Sequence, residues 1–166
     1  MASIRSVTLE APDPAAAKAF HAAAFDLDDT VRVRAGDAPT TGFRGYTRSL
    51  VVSQPSTVDS LVGTALDAGA TSLKPARKGF WGYGGVMQAP DDAIWKVATS
   101  AKKDTGPTTR KVDEVVLLLG LEDVRASRQS YVERGLAVAK SFGSRYVELE
   151  SHASAPDGLA WASPAA

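Results

Sequence analysis

The stretch Lys74-Pro75-Ala76-Arg77-Lys78-Gly79-Phe80-Trp81-Gly82-Tyr83-Gly84-Gly85-Val86-Met87-Gln88-Ala89-Pro90-Asp91-Asp92-Ala93-Ile94-Trp95-Lys96-Val97-Ala98-Thr99 decides how the chain is read. Gly85 to Gln88 enters a turn at Ala89-Pro90-Asp91-Asp92, and Ile94 to Ala98 leaves it. Proline presets its own backbone dihedral and aspartate bonds its own backbone, so Pro90 with two aspartates is strong turn chemistry. The stretch reads as a β-hairpin whose entry carries three rings, Phe80, Trp81 and Tyr83, among four glycines. The glycines do not make a phosphate loop: the Lys-Ser/Thr pair is absent, and a strand rather than a helix follows.

Upstream of it, Ser56 or Thr57 opens a helix with Val58, Leu61, Val62, Ala65 and Leu66 at helical spacing, ended by Gly69. Three strands are expected earlier, over 4–10, 30–34 and 45–53. Asp13-Pro14 starts a helix through Phe25, with a capping oxygen followed by a residue that lacks the amide hydrogen.

Downstream, 102–110 is polar, holds Gly and Pro without periodicity, and reads as a linker. The order then restarts. An apolar strand over 112–119 precedes a helix opened by Glu122-Asp123, and two strands, 136–142 and 145–150, flank Gly143-Ser144. Asp13-Pro14-Ala15 matches Asp123-Val124-Arg125, each at a helix start. Ala89-Pro90-Asp91 matches Ala155-Pro156-Asp157. The offsets, 110 and 66 positions, differ by 44, which predicts a second copy lacking about that many positions.

Composition narrows the function classes. An apolar fraction of 44% supplies a core, and 23% charged residues argue against disorder. Nineteen basic and nineteen acidic residues cancel, so no net field favours nucleic acid or an anionic membrane. Without cysteine there is no disulfide, thiolate nucleophile or Cys-type zinc site. No run reaches the roughly 18 apolar residues of a spanning helix, and Met1 to Val7 lacks a signal-peptide core, so a cytoplasmic protein is expected.

The chain resembles the glyoxalase / bleomycin-resistance / dioxygenase group, the vicinal oxygen chelate superfamily. The carriers are Asp13-Pro14 with Phe20-His21, the run Gly79 to Gly85, and the turn Ala89 to Trp95. The resemblance implies an α+β fold of paired βαβββ modules that form a cupped mixed sheet. It is expected over 1–101, with the linker 102–110 and a second, truncated module over 111–166. A shortened module would leave edges and an open cup uncovered, so a homodimer is expected.

In that family a divalent metal sits in the cup, held by His, Gln or Glu of first strands and Glu of last strands. Here the matching positions fall on Ser6, Lys96, Val116 (or Glu114) and Ala162. An ammonium only donates and repels a cation, and valine and alanine offer nothing. No metal, no other cofactor and no catalytic residue is therefore expected. His21 and His152 lack a carboxylate at useful spacing. Glu10 with Glu148 or Glu150 reads as a solvated strand face before an acid–base pair.

The rings remain. Trp81, Tyr83 and Phe80 suit either hydrophobic fill or a stacking wall for a planar ligand. The resemblance places Arg44, Tyr46 and Arg48 in the same cup, with Lys96 adding a cation. The leading expectation is metal-independent binding of an aromatic, drug-like small molecule. The alternatives are a metal-dependent glyoxalase-like lyase or dioxygenase, and an inactive remnant or interaction module.

Overall fold

The computed structural model describes residues 7–27, 31–36 and 45–150, and the backbone of 157–162. β1 (Val7–Ala11), α1 (Pro14–Phe25) and β2 (Val31–Ala35) come first. β3 (Tyr46–Val51), α2 (Pro55–Asp67), β4 (Thr71–Gly79), β5 (Gly82–Gln88) and β6 (Ile94–Thr99) follow. The chain continues with β7 (Glu114–Gly120), α3 (Val124–Glu133), β8 (Val138–Phe142), β9 (Tyr146–Leu149) and β10 (Asp157–Ala162).

β1 and β2 pair in parallel as a small sheet of their own. The other eight strands form one mixed sheet in the order β4-β5-β6-β3-β7-β10-β9-β8. Two like sets build it. In each, a first strand and a helix are followed by three strands, the last of which lies parallel to the first: β6 beside β3, β10 beside β7. The sets join first strand to first strand, β3 antiparallel to β7. The architecture is α+β, made of βαβββ modules in a mixed sheet.

The second set, over 114–162, carries all five elements, as does the set over 46–99. The 44-position difference has another origin: the stretch 1–101 holds one helix and two strands more, because β1-α1-β2 precede a full set. The first sequence match is one of caps and not of sets, because α1 precedes the full set, whose own helix is α2, while α3 is the helix of the second set. Asp13 and Asp123 cap their helices with nearly the same backbone, φ −123°, ψ 94° and φ −124°, ψ 95°. Asp13 Oδ1 accepts from the amides of Ala15 and Ala16, and Asp123 Oδ1 from that of Ala126. β6 and β10 are each the last strand of a set.

Two local expectations change. β4 is a strand that the sequence does not announce: Lys74, Pro75, Arg77 and Lys78 leave no apolar alternation, and all its residues except Ala76 are exposed. Proline, lysine and register shifts are what edge strands carry, and β4 is an edge. The start of α2 is the second change. Gln54, not Ser56 or Thr57, is its N-cap, and its side chain makes no capping bond. The capping oxygen comes from the 102–110 stretch instead, where Asp104 Oδ1 accepts from Ser56 N at 2.8 Å.

That stretch has no helix or strand, yet it is tied down. Gln54 Oε1 accepts from the amides of Thr105 and Gly106, and Gln54 Nε2 donates to the carbonyls of Gly106 and Pro107. The core lies between the sheet and the helices. Trp95, Val97, Leu50 and Met87 pack on Val58, Leu61 and Ala65 of α2 and Phe20, Ala24 and Phe25 of α1. Val147 and Leu149 pack on Val124 of α3. Among the described residues no helix is long and apolar enough to cross a membrane.

Candidate functional site

Strand alternation divides the eight-stranded sheet into two faces. Arg48 lies opposite Trp95 and Leu117, and these point to the helices. Ser49 lies opposite Lys96 and Val116, and Lys96 opposite Val86, so these four form a row on the other face. Glu114 and Leu118 extend that face along β7, and the register carries it through β10 to Glu148 and Tyr146, then to Lys140 and Phe142.

This face is concave. Trp81 closes the β4–β5 hairpin near one end of the sheet, and Phe142 sits on β8 at the other. Six strand spacings separate β5 from β8, about 29 Å if the sheet were flat. The two rings are 6.2 Å apart. The sheet therefore curls until its ends meet on the face away from the helices, and it makes a cup. Phe80 stands edge-on to Trp81 at 4.9 Å, and Tyr146 lies 5.8 Å from Phe142. Phe80, Trp81 and Phe142 remain 84%, 78% and 59% exposed, so the rim is aromatic and open to solvent.

Gly82 permits the hairpin that carries Trp81. Its φ is +140°, and a Cβ there would lie 2.0 Å from the carbonyl oxygen of Thr99. No other residue fits so close to β6 in that conformation.

Polar groups line the wall below the rings. Tyr146 Oη donates to Glu148 Oε2 at 3.4 Å, and Lys140 Nζ is 3.6 Å from the same oxygen. Burial pushes the Glu114 carboxyl above the ordinary carboxylate range; the Glu148 charge adds to this and Lys140 opposes it. Burial also holds the Tyr146 phenol up at about 12, helped by the Glu148 charge and hydrogen bond and by the Glu114 charge. The cup thus offers stacking rings, a cation at Lys96, and carboxyls at Glu114 and Glu148.

The residues singled out from sequence separate on these two faces. Trp81, Phe80 and Lys96 belong to the cup. Tyr46 and Arg48 do not share it: they are one residue out of step with Ser49, and a shift of one turns a side chain to the opposite face. Arg48 is buried, its guanidinium 5.0 Å from the Trp95 ring and 5.7 Å from that of Tyr46, among the core aromatics. Tyr83 also turns to the helices, where its hydroxyl donates to Asp59 Oδ1 of α2 at 2.8 Å. Arg44, Ser6 and His152 lie outside the described residues.

His21 is a core residue. Its ring is 5.0 Å from Trp95, and burial, with Arg48 nearby, lowers its pKa to about 4 against the opposing pull of Asp91. It stands neutral at neutral pH. Glu10 forms an ion pair with Arg34 across β1 and β2, at 2.6 Å, and so belongs to the small sheet.

The donor set can be tested against the metal that the resemblance implies. Lys96 and Val116 occupy two of the matching positions, and Ser49, on the first strand of its set, stands between them in the row. An ammonium, a hydroxyl and an isopropyl group do not hold a divalent ion. The two carboxylates of the cup face are carried by β7 and β9, with β10 between them. Among the described residues no three His, Cys, Asp or Glu side chains come together. The residues present do not fit the metal.

Sequence reasoning missed Phe142, Tyr146, Lys140 and Ser49, and weighed Glu114 and Glu148 in other roles. A signal for Phe142 exists: it precedes the Gly143 turn between two strands after a helix, as Phe80-Trp81 precede Gly82.

No family model matches the sequence, and no curated protein matches it. Solved structures do. A glyoxalase/bleomycin resistance protein/dioxygenase family enzyme from Burkholderia phytofirmans PsJN aligns over 60% of this chain and 99% of its own, at 18% identity and a TM-score of 0.51. The fosfomycin resistance protein FosX from Listeria monocytogenes aligns over 60% and 93%, at 15% identity and 0.52. Glyoxalase I from Zea mays aligns over 98% of this chain and 68% of its own, at 10% identity and 0.67. At these identities the likeness is one of fold, and the fold is that of the glyoxalase/bleomycin-resistance/dioxygenase proteins.

Proposed function

Starting from that fold, we propose that the chain binds a planar, aromatic small molecule in the cup without the help of a metal. The observation that carries this reading is the Trp81–Phe142 contact, which joins the sheet's two ends over a concave face lined by rings and polar groups. A flat ring slid between Trp81, Phe142 and Tyr146 removes apolar area from water at aromatic surfaces already placed edge-on or tilted to one another. Both sets that form the cup belong to one chain, so the reading needs no second copy, although two chains are free to pair elsewhere.

The supporting chemistry is negative for an enzyme of the chelate type, because the row Ser49–Lys96–Val116 does not suit a divalent ion. Capture in a cup of this kind is stoichiometric. The test is tryptophan-fluorescence titration with planar aromatic compounds, run on the native chain and on Trp81→Phe. Saturable quenching in the native chain that is lost in the variant is expected. Quenching equal in both chains would remove the cup from the account. Near-stoichiometric iron, manganese, nickel or zinc in protein purified without chelator would favour a lyase or dioxygenase instead.

A further inference from the structure

The misfit between the cup and a divalent ion has a positive side. Lys96 is partly buried on the cup face, in direct register with Ser49 on the next strand. Among the described residues no carboxylate lies within ion-pair distance of Lys96, and neither side chain has a hydrogen-bond partner. Adjacent strands bring their Cα atoms to about 5 Å, so an ammonium and a hydroxyl point into the cup side by side. Of the nearby cations, Arg48 is on the helix face, over Trp95, whereas Lys74 shares the row through Val86 but stands exposed on the edge strand β4, two strands from Lys96, as does Arg77 opposite Gly84. Of the cup carboxyls, Glu148 is paired with Lys140, and Glu114 lies two positions along β7 from the row, with β3 between it and Lys96.

We infer that Lys96 and Ser49 together hold an anionic oxygen of the bound molecule, so that the cup selects planar aromatic carboxylates or phenolates over their uncharged counterparts. This rests on the cup reading above and adds the chemical class of its ligand. A partly desolvated cation without a partner among the described residues gains most from an anion that brings a ring to stack, since a charge-assisted bond in a half-buried site is stronger than one in water. Ser49, 8% exposed, supplies the second donor. The rings of Trp81, Phe142 and Tyr146 supply the apolar contact, and the charge then fixes which way round the ring enters.

Calorimetric titration with 2-naphthoate and with 2-naphthamide separates the two ideas, because the probes share a ring system and differ in charge. The native chain is expected to bind the carboxylate about tenfold more tightly than the amide. Lys96→Met should abolish that preference, weakening the carboxylate far more than the amide. Lys96→Arg should restore it, and Trp81→Ala should weaken both probes alike. Equal binding of the two probes by the native chain, or a carboxylate preference that survives Lys96→Met, overturns the inference and leaves the cup reading standing. Binding of neither probe overturns the cup reading and this inference together.

Discussion

The rings of Trp81 and Phe142 lie 6.2 Å apart although six strands lie between the edge strands β4 and β8 of their sheet. They hold equivalent places, since each stands at the tip of the hairpin that follows the helix of its set. The contact is what closes the cup, and it is made between two largely exposed side chains. Tilted aromatic pairs contribute about 0.5–1.5 kcal/mol beyond their area. Phe142→Ala should therefore lower stability by only about 1 kcal/mol in urea unfolding, while planar ligands bind about tenfold more weakly. A loss of several kcal/mol with unchanged ligand affinity would mean that the pair serves the core and not the cup.

Much of this arrangement is legible in the sequence, and what is not has physical causes. Asp13-Pro14 and Asp123 announce their helices because a cap is a local event between residues two or three apart. The register that separates Arg48 from Ser49 is not local. Both belong to a strand with polar and apolar residues on each side, and only the partners Trp95 and Lys96 decide which one faces the helices. The resemblance implies the strand of the cup but not its parity, which is why it puts Tyr46 and Arg48 on the wrong face. β4 hides because an edge strand is under no demand to alternate. The cap of α2 hides because its acceptor, Asp104, is 48 positions away.

The tie between Gln54 and the 102–110 stretch makes a strong demand on one side chain. Its carboxamide serves two amides and two carbonyls, and Gln54 itself is buried. Gln54→Ala leaves several of these groups without a partner, at a cost of about 2–3 kcal/mol. The stretch should also come loose. Trypsin is expected to cut after Lys102 or Lys103 much faster in the variant, under conditions in which the native chain stays whole. If cleavage rates match, the stretch is held by something other than Gln54.

Glu114 makes its own prediction about pH. Its carboxyl keeps a proton to higher pH in the fold than in the unfolded chain, because burial and the Glu148 charge oppose ionisation. In that window the folded state binds more protons, so this group lowers stability as pH rises, and the penalty persists at neutral pH. Glu114→Gln should accordingly raise the melting temperature at pH 7. The gain should vanish near pH 3.5, below the ordinary glutamate pKa of about 4.3. A variant less stable than the native chain at pH 7 would mean that the charged carboxylate has a partner that it needs.

His21 titrates in the opposite sense. Its ring sits in the core against Trp95 and Phe20, and its pKa is lowered to about 4, whereas an unfolded histidine protonates near 6.5. Between those values the unfolded chain takes up a proton that the fold refuses, so stability falls as pH drops from about 6.5 towards 4 and is flat above that range. The groups facing the ring agree with this sign on balance. Burial and Arg48 disfavour the imidazolium, and Asp91 favours it by less. The loss amounts to about 2–3 kcal/mol across the window. His21→Leu removes the titrating group while keeping an apolar side chain against Trp95. The measurement is urea unfolding of both chains at pH 7.5 and pH 5. The native chain should lose the larger share of its stability at the lower pH, whatever the packing change does to the absolute value of the variant. Parallel losses in the two chains would show that His21 takes up its proton as readily in the fold as in the unfolded chain.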